Sequence, residues 1–194
     1  MNAMVSSLSP ALSRFVAGMD RLVAAALPEA AVHEGACELM RQLVGRDDWL
    51  DPAFTVPHPR FYQQYLLHAD PQGRYSVVSF VWGPGQMTPV HDHCTWGVIG
   101  MLRGAELSQS YRRETGRLVP DGPEETLEAG DTALVSPALG DIHRVRNAHG
   151  DRVSISIHAY GCDIGRQRRH VFDPETGAVK EFVSGYANAA GTRA

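Results

Sequence analysis

From residue 60 onward the chain is cut into short runs of alternating polarity by glycine, proline and aspartate, and that punctuation leaves few folds open. Residues 61–68, 74–82, 96–102, 105–113, 126–128, 132–136, 142–147 and 152–160 read as strands. Turn residues separate them at Asp70-Pro-Gln-Gly73, Gly83-Pro-Gly85 and Glu114-Thr-Gly116. The dipeptide Arg103-Gly104 predicts a hairpin joining 96–102 to 105–113. Asp173-Pro-Glu-Thr-Gly177 predicts another, with 171–172 and 179–183 as its arms. Ten or so short antiparallel strands settle into a barrel or jelly roll.

Before residue 60 the period changes. Ser9 can cap a helix with Pro10 at its first position, and Leu12, Phe15, Val16, Met19, Leu22, Val23 and Ala26 follow at three- and four-residue steps until Pro28 ends it. A second helix is predicted over 29–44, with Val32, Ala36, Leu39, Met40 and Leu43 on one face and Gly45 closing it. Both apolar stripes are expected to pack on the outside of a sheet. The whole of 1–194 reads as one domain: a helical segment and loop over 1–59, a mainly β barrel over 60–186, and a tail over 187–194. From Asn188 that tail is small and polar and reads as a frayed end.

Composition narrows the function classes. The formal net charge is -4, and Arg166, Arg168 and Arg169 are too few to make a nucleic-acid stripe. No apolar run is long enough to span a membrane, and the first residues lack the basic and apolar regions of a leader. Three cysteines with no Cys-x-x-Cys pair suit a reducing cytoplasm.

The chemistry centres on His91 and His93. Strand side chains alternate, so two histidines one residue apart put both imidazoles on one side of an extended segment, where one metal ion can take a nitrogen from each. Imidazole suits zinc, copper, iron and nickel alike, so the pair does not name the metal. A second constellation lies on the strand 152–160. Ser156, His158 and Tyr160 share one face, Ile155, Ile157 and Ala159 the other, and the three polar groups can form a hydrogen-bonded line ending at a metal.

The stretch 85–104 resembles the first motif of the cupin family at Gly85, His91, His93 and Gly104, with Gly97 where the family carries a glutamate. Gly130, Pro137, Gly140, His143 and Asn147 resemble the second motif, with two spacings each one residue longer. The resemblance implies a cupin jelly-roll barrel with the N-terminal helices packed outside, and His143 as third ligand. With no carboxylate at position 97, the negative charge at such a centre must come from the substrate, and a thiolate is the natural candidate. Three open positions on an octahedral ion suit a chelating thiol together with O2, although a four-coordinate zinc with a bound water is also reasonable.

Taken together the motifs resemble the thiol dioxygenase branch of the cupins, which contains cysteine dioxygenase and 3-mercaptopropionate dioxygenase. That likeness implies Fe(II) on His91, His93 and His143, and an outer-sphere triad of Ser156, His158 and Tyr160. Animal cysteine dioxygenases join a cysteine at the Gly97 position to the matching tyrosine; Gly97 cannot form that thioether, and Cys94 lies three residues from the slot. They also carry an arginine after Tyr-x, where Tyr62-Gln63-Gln64 puts glutamine. This departure resembles the 3-mercaptopropionate enzymes, in which the glutamine goes with an arginine beyond the triad strand. Arg168 and Arg169 are the candidates, and distance from Tyr160 favours Arg169. The implied activity is oxidation of 3-mercaptopropionate with O2 to 3-sulfinopropionate, with Tyr62, Gln64 and Arg169 binding substrate. Cysteine dioxygenase, a non-catalytic cupin, and a zinc or manganese cupin are the alternatives.

Overall fold

The computed structural model describes residues 8–189. The reading of the N-terminal residues as leaderless rests in part on 1–7, and that of the tail in part on 190–194; both stretches lie outside the described residues.

Two helices come first. In α1 (Pro10–Ala24) Ser9 Oγ accepts from Leu12 N at 3.4 Å, so the predicted cap forms. Pro28 and Gly45 bracket α2 (Glu29–Val44). The helices approach closely at Gly18, where an added Cβ would come within 2.6 Å of Leu39 Cδ2.

Twelve strands follow among the described residues: β1 (Gln63–Ala69), β2 (Ser76–Trp82), β3 (Val90–His91), β4 (Gly97–Arg103), β5 (Ala105–Glu114), β6 (Arg117–Pro120), β7 (Glu125–Glu128), β8 (Thr132–Val135), β9 (His143–Asn147), β10 (Ser154–Tyr160), β11 (Arg169–Phe172) and β12 (Val179–Phe182). They form two antiparallel sheets. One runs β1-β2-β10-β4-β8; the other runs β12-β11-β3-β9-β5-β6, with β7 also on β5. This is the mainly β jelly-roll architecture the punctuation predicts.

The outer face of the five-stranded sheet carries the helices. Ile155, Ile157 and Ala159 of β10 share one apolar core with Phe15, Met19, Ala36, Met40 and Leu43. A Cβ at Gly100 of β4 would meet Met40 Cγ at 2.6 Å, so a bare backbone lets α2 lie this close. A second core, containing Val78, Phe80, Trp82, Val145 and Tyr160, includes residues from both sheets. Alternate residues of β10 therefore serve two cores, and all seven are buried.

Two local expectations are corrected. The predicted hairpin at Arg103-Gly104 does not form, because β4 already has β10 and β8 on its two edges and β5 belongs to the other sheet. Gly104, at φ +73°, bends the chain from one sheet to the other, and Ala105 N donates to Ser154 Oγ at 3.2 Å there. The start of the tail is also tied down. Asn188 exchanges two hydrogen bonds of 2.9 Å with the backbone of Leu66, and Ala187 N donates to Gln64 O at 2.8 Å. Strand β6 was not anticipated: four residues ending in proline give little alternation, and it pairs with β5 only through the tight turn Thr115-Gly116, where both φ angles are positive. No helix among the described residues is long and apolar enough to cross a membrane.

Candidate metal centre and active site

His91 of β3 and His143 of β9 are directly opposite each other across the sheet, so their side chains share a face. His93 follows two residues later and completes the cluster. Ring centroids are 4.8–5.0 Å apart, and all three side chains are buried. The sequence brings these histidines together as expected.

In each ring Nδ1 already has a partner. His91 Nδ1 donates to Pro89 O at 3.1 Å, His93 Nδ1 lies 2.7 Å from Asp141 Oδ1, and His143 Nδ1 lies 3.1 Å from Ser108 Oγ. Such bonds fix ring orientation and leave Nε2 as the free ligand atom. His143 Nε2 is buried with no partner at all, an expensive arrangement that a metal ion relieves. Burial drives all three imidazoles below their ordinary pKa, His143 to about 4, so they are neutral and competent to ligate. The residues present fit a metal ion.

Asp141 was missed in the sequence, although it sits two residues before His143. Besides the His93 ring it accepts from His93 N and Cys94 N, each at 2.9 Å. An asparagine there would turn an N–H toward one of three donors. Asp141→Asn should therefore lower metal affinity about 10–100-fold, measured by competition with a chelator; parental affinity in that variant would deny Asp141 an orienting role.

The opposite sheet supplies the polar line. Ser156 Oγ is 2.8 Å from His158 Nε2, and His158 Nδ1 is 2.9 Å from the Tyr160 hydroxyl. Trp82 Nε1 donates to Ser156 Oγ at 3.1 Å, a partner not found by sequence reading because it sits on β2. Burial holds His158 neutral and pushes Tyr160 far above the usual phenol range, so the phenol keeps its proton. The Tyr160 ring stacks against His93 with centroids 5.3 Å apart. Gly97 faces Tyr160 across the β4–β10 pairing, and an added Cβ would lie 2.7 Å from two of its ring atoms.

A cavity of about 250 Å³ joins these groups. Its walls include the three imidazoles and Tyr160 at one part, and Tyr62, Gln64, Arg169 and Phe182 at another, with no carboxylate side chain among the lining residues. Arg169 is only 3 % exposed; one of its terminal nitrogens donates to Ser184 Oγ at 2.7 Å, and its Nε has no partner. Gln64 Nε2 donates to the same Ser184 Oγ and to Gly185 O. Tyr62 packs on Trp82, with ring centroids 4.9 Å apart. Arg168, by contrast, is exposed and paired with Glu181.

A two-sheet antiparallel barrel that gathers three neutral histidines inside it defines a cupin with a metal site. The match to the family model for cysteine dioxygenase type I runs over residues 46–172, and the chain belongs to that family. It is 22% identical over 125 residues to cysteine dioxygenase type 1 of Rattus norvegicus, covering 62% of this chain and 60% of that one. With the Homo sapiens protein of the same name it shares 24% over 149 residues, covering 74% and 73%. The chain spans about 60% of the length of the rat and mouse relatives. Among solved structures it overlays an acetylacetone dioxygenase from Acinetobacter johnsonii (TM-score 0.47, 16% identity, 69% of this chain and 81% of that one). It also overlays a double-stranded β-helix protein from Klebsiella pneumoniae (TM-score 0.46, 16% identity, 66% and 90%). At these scores the overlays add nothing to what the topology shows.

Proposed function

We propose that the protein is an iron-dependent thiol dioxygenase that oxidises 3-mercaptopropionate with O2 to 3-sulfinopropionate, both oxygen atoms ending on sulfur. Family membership supports the reaction class. Fe(II) held by His91, His93 and His143 would supply the centre where thiolate and O2 meet.

The observation that carries the substrate is Arg169. A buried guanidinium with an unpartnered Nε and no carboxylate in the cavity wall is a charge awaiting an anion. A substrate carboxylate satisfies it bidentately, with Gln64 and Tyr62 beside it, and that anchors the thiol end toward the histidines. The same wall offers nothing acidic to receive an ammonium group. Cysteine therefore brings an ammonium that either gives up its proton to ligate the metal or is desolvated without an acidic partner, whereas the amine-free acid does neither. Oxidation of L-cysteine is the second reading, favoured by the relatives' names. The three cysteines are unpaired, which suits a cytoplasmic setting.

Steady-state oxygen uptake with sulfinate analysis decides between the two substrates. The expected result is a higher kcat/KM for 3-mercaptopropionate, with the deficit for cysteine residing mostly in KM. A higher kcat/KM for cysteine would sink the assignment.

Tyr160 is assigned a donor role. Trp82 is a donor only. With the Ser156 hydroxyl donating its proton to His158 Nε2, the line Trp82 to Ser156 to His158 to Tyr160 leaves the phenol proton free for the cavity. Tyr160→Phe should keep its metal and lose about 10²-fold in kcat. Parental turnover across the pH range would reduce the line to a structural feature.

A further inference from the structure

Among the described residues a second group of metal-binding side chains lies outside the three-histidine centre: Asp92, Cys94 and His170. It is held in place by backbone bonds. Asp92 N donates to His170 O at 3.1 Å, His170 N donates to Asp92 Oδ1 at 2.8 Å, and Cys94 N is fixed by Asp141. Three different donor types thus converge from two separate segments.

We propose that Asp92, Cys94 and His170 form a second divalent-metal site, suited to zinc over the hard cations. Two of the three separations fit the ion. Tetrahedral zinc with bonds of about 2.0–2.3 Å needs donor atoms about 3.3–3.6 Å apart. Cys94 Sγ lies 3.5 Å from Asp92 Oδ1 and 3.7 Å from His170 Nδ1. His170 Nδ1 meets the other carboxylate oxygen, Asp92 Oδ2, at 2.8 Å, a shared hydrogen bond that has to open for one oxygen to serve the ion. The cation replaces that proton: His170 moves its proton to Nε2 and presents Nδ1, while the Cys94 thiol gives its proton to solvent and binds as thiolate. Sulfur, imidazole and one carboxylate favour zinc over the hard cations magnesium and calcium. Cys94 is exposed, and the His170 side chain is 33% exposed, which gives the ion an entry path and room for a water as fourth ligand. Asp92 lies between His91 and His93, and His170 follows Arg169. An ion here would lock the carboxylate-binding arginine to the segment bearing two of the three imidazoles.

The proposal does not depend on the thiol-dioxygenase reading, and its test reads metal rather than turnover. Protein whose three-histidine centre is already loaded with iron is equilibrated with zinc in thiol-free buffer, freed of excess, and analysed for both metals. One zinc per chain beside undiminished iron is expected, falling to background in Cys94→Ser and in His170→Gln. Cobalt supplies a second readout, because no sulfur ligand exists at the three-histidine centre in the absence of thiol. A thiolate-to-cobalt charge-transfer band should appear in the parent, persist in His143→Ala, and vanish in Cys94→Ser. Zinc found only in place of iron, absence of the cobalt–sulfur band, or an undiminished second equivalent in Cys94→Ser would each overturn it.

Discussion

His143→Ala should purify nearly free of iron and without measurable thiol oxidation, while its thermal transition stays cooperative. The barrel does not need the ion to close: its apolar cores lie outside the five-stranded sheet and between the sheets, and the imidazole is held in the native protein only by its Nδ1 contact to Ser108. What the ring supplies is Nε2, the one orphaned nitrogen among the three ligands. Two imidazoles on one side cannot replace the facial set of three. Iron analysis beside circular dichroism checks both halves; stoichiometric iron in a folded, active variant would remove His143 from the centre. Acid has a related effect on metal-free protein. In the fold, burial lowers the His143 pKa to about 4, whereas in the unfolded chain it stays near 6.5. The unfolded state therefore binds the proton first, and stability is lost as pH falls from about 6.5 to about 4.

Arg169→Ala is expected to raise KM for 3-mercaptopropionate about 10–150-fold, the worth of a charge-assisted hydrogen bond of roughly 1.5–3 kcal/mol. Burial sets the scale: at 3 % exposure, water does not stand in for the lost guanidinium. The change should fall on KM more than kcat, and on carboxylate-bearing thiols more than on 2-mercaptoethanol, which has no anion to hold. Equal losses for both thiols would point to a collapsed cavity, and an unchanged KM would move the carboxylate site elsewhere. Arg168→Ala is the internal control, since that side chain is solvated beside Glu181.

Much of the architecture was legible because periodicity and punctuation act locally. Ser9, Pro10, Pro28 and Gly45 mark the helices: α2 has its predicted limits, whereas α1 stops at Ala24, short of Pro28, and Ala26 takes a φ of +50°. Strand positions were recoverable to within two or three residues, and the shared face of Ser156, His158 and Tyr160 followed from a period of two. Pairing was less legible. Arg103-Gly104 carries the local chemistry of a hairpin, yet the free edges of β4 had already been taken by strands distant in sequence, which no local signal reports. The histidine cluster could be listed from motif spacing, but its supports could not. Asp141, Ser108 and Trp82 act through contacts 35 to 74 residues away in sequence. The choice between Arg168 and Arg169 was open in sequence for the same reason. Arg168 falls just before β11 and Arg169 opens it, and only the position of that strand at the barrel wall determines which one faces inward.

The segment 184–188 gives the substrate end of the cavity an unusual owner. Ser184 Oγ receives hydrogen bonds from both Gln64 and Arg169, Gly185 O receives another from Gln64, and Ala187 and Asn188 fasten this stretch along β1. The Arg169 end of the cavity and its histidine cluster are thus braced by separable pieces of chain. Exchanging this short stretch between related proteins is a way to re-tune which acid is accepted while leaving the histidines untouched, and natural sequence drift has the same freedom. It also means that a protease clip or an affinity tag placed close behind residue 188 acts on the partners of Arg169 and Gln64.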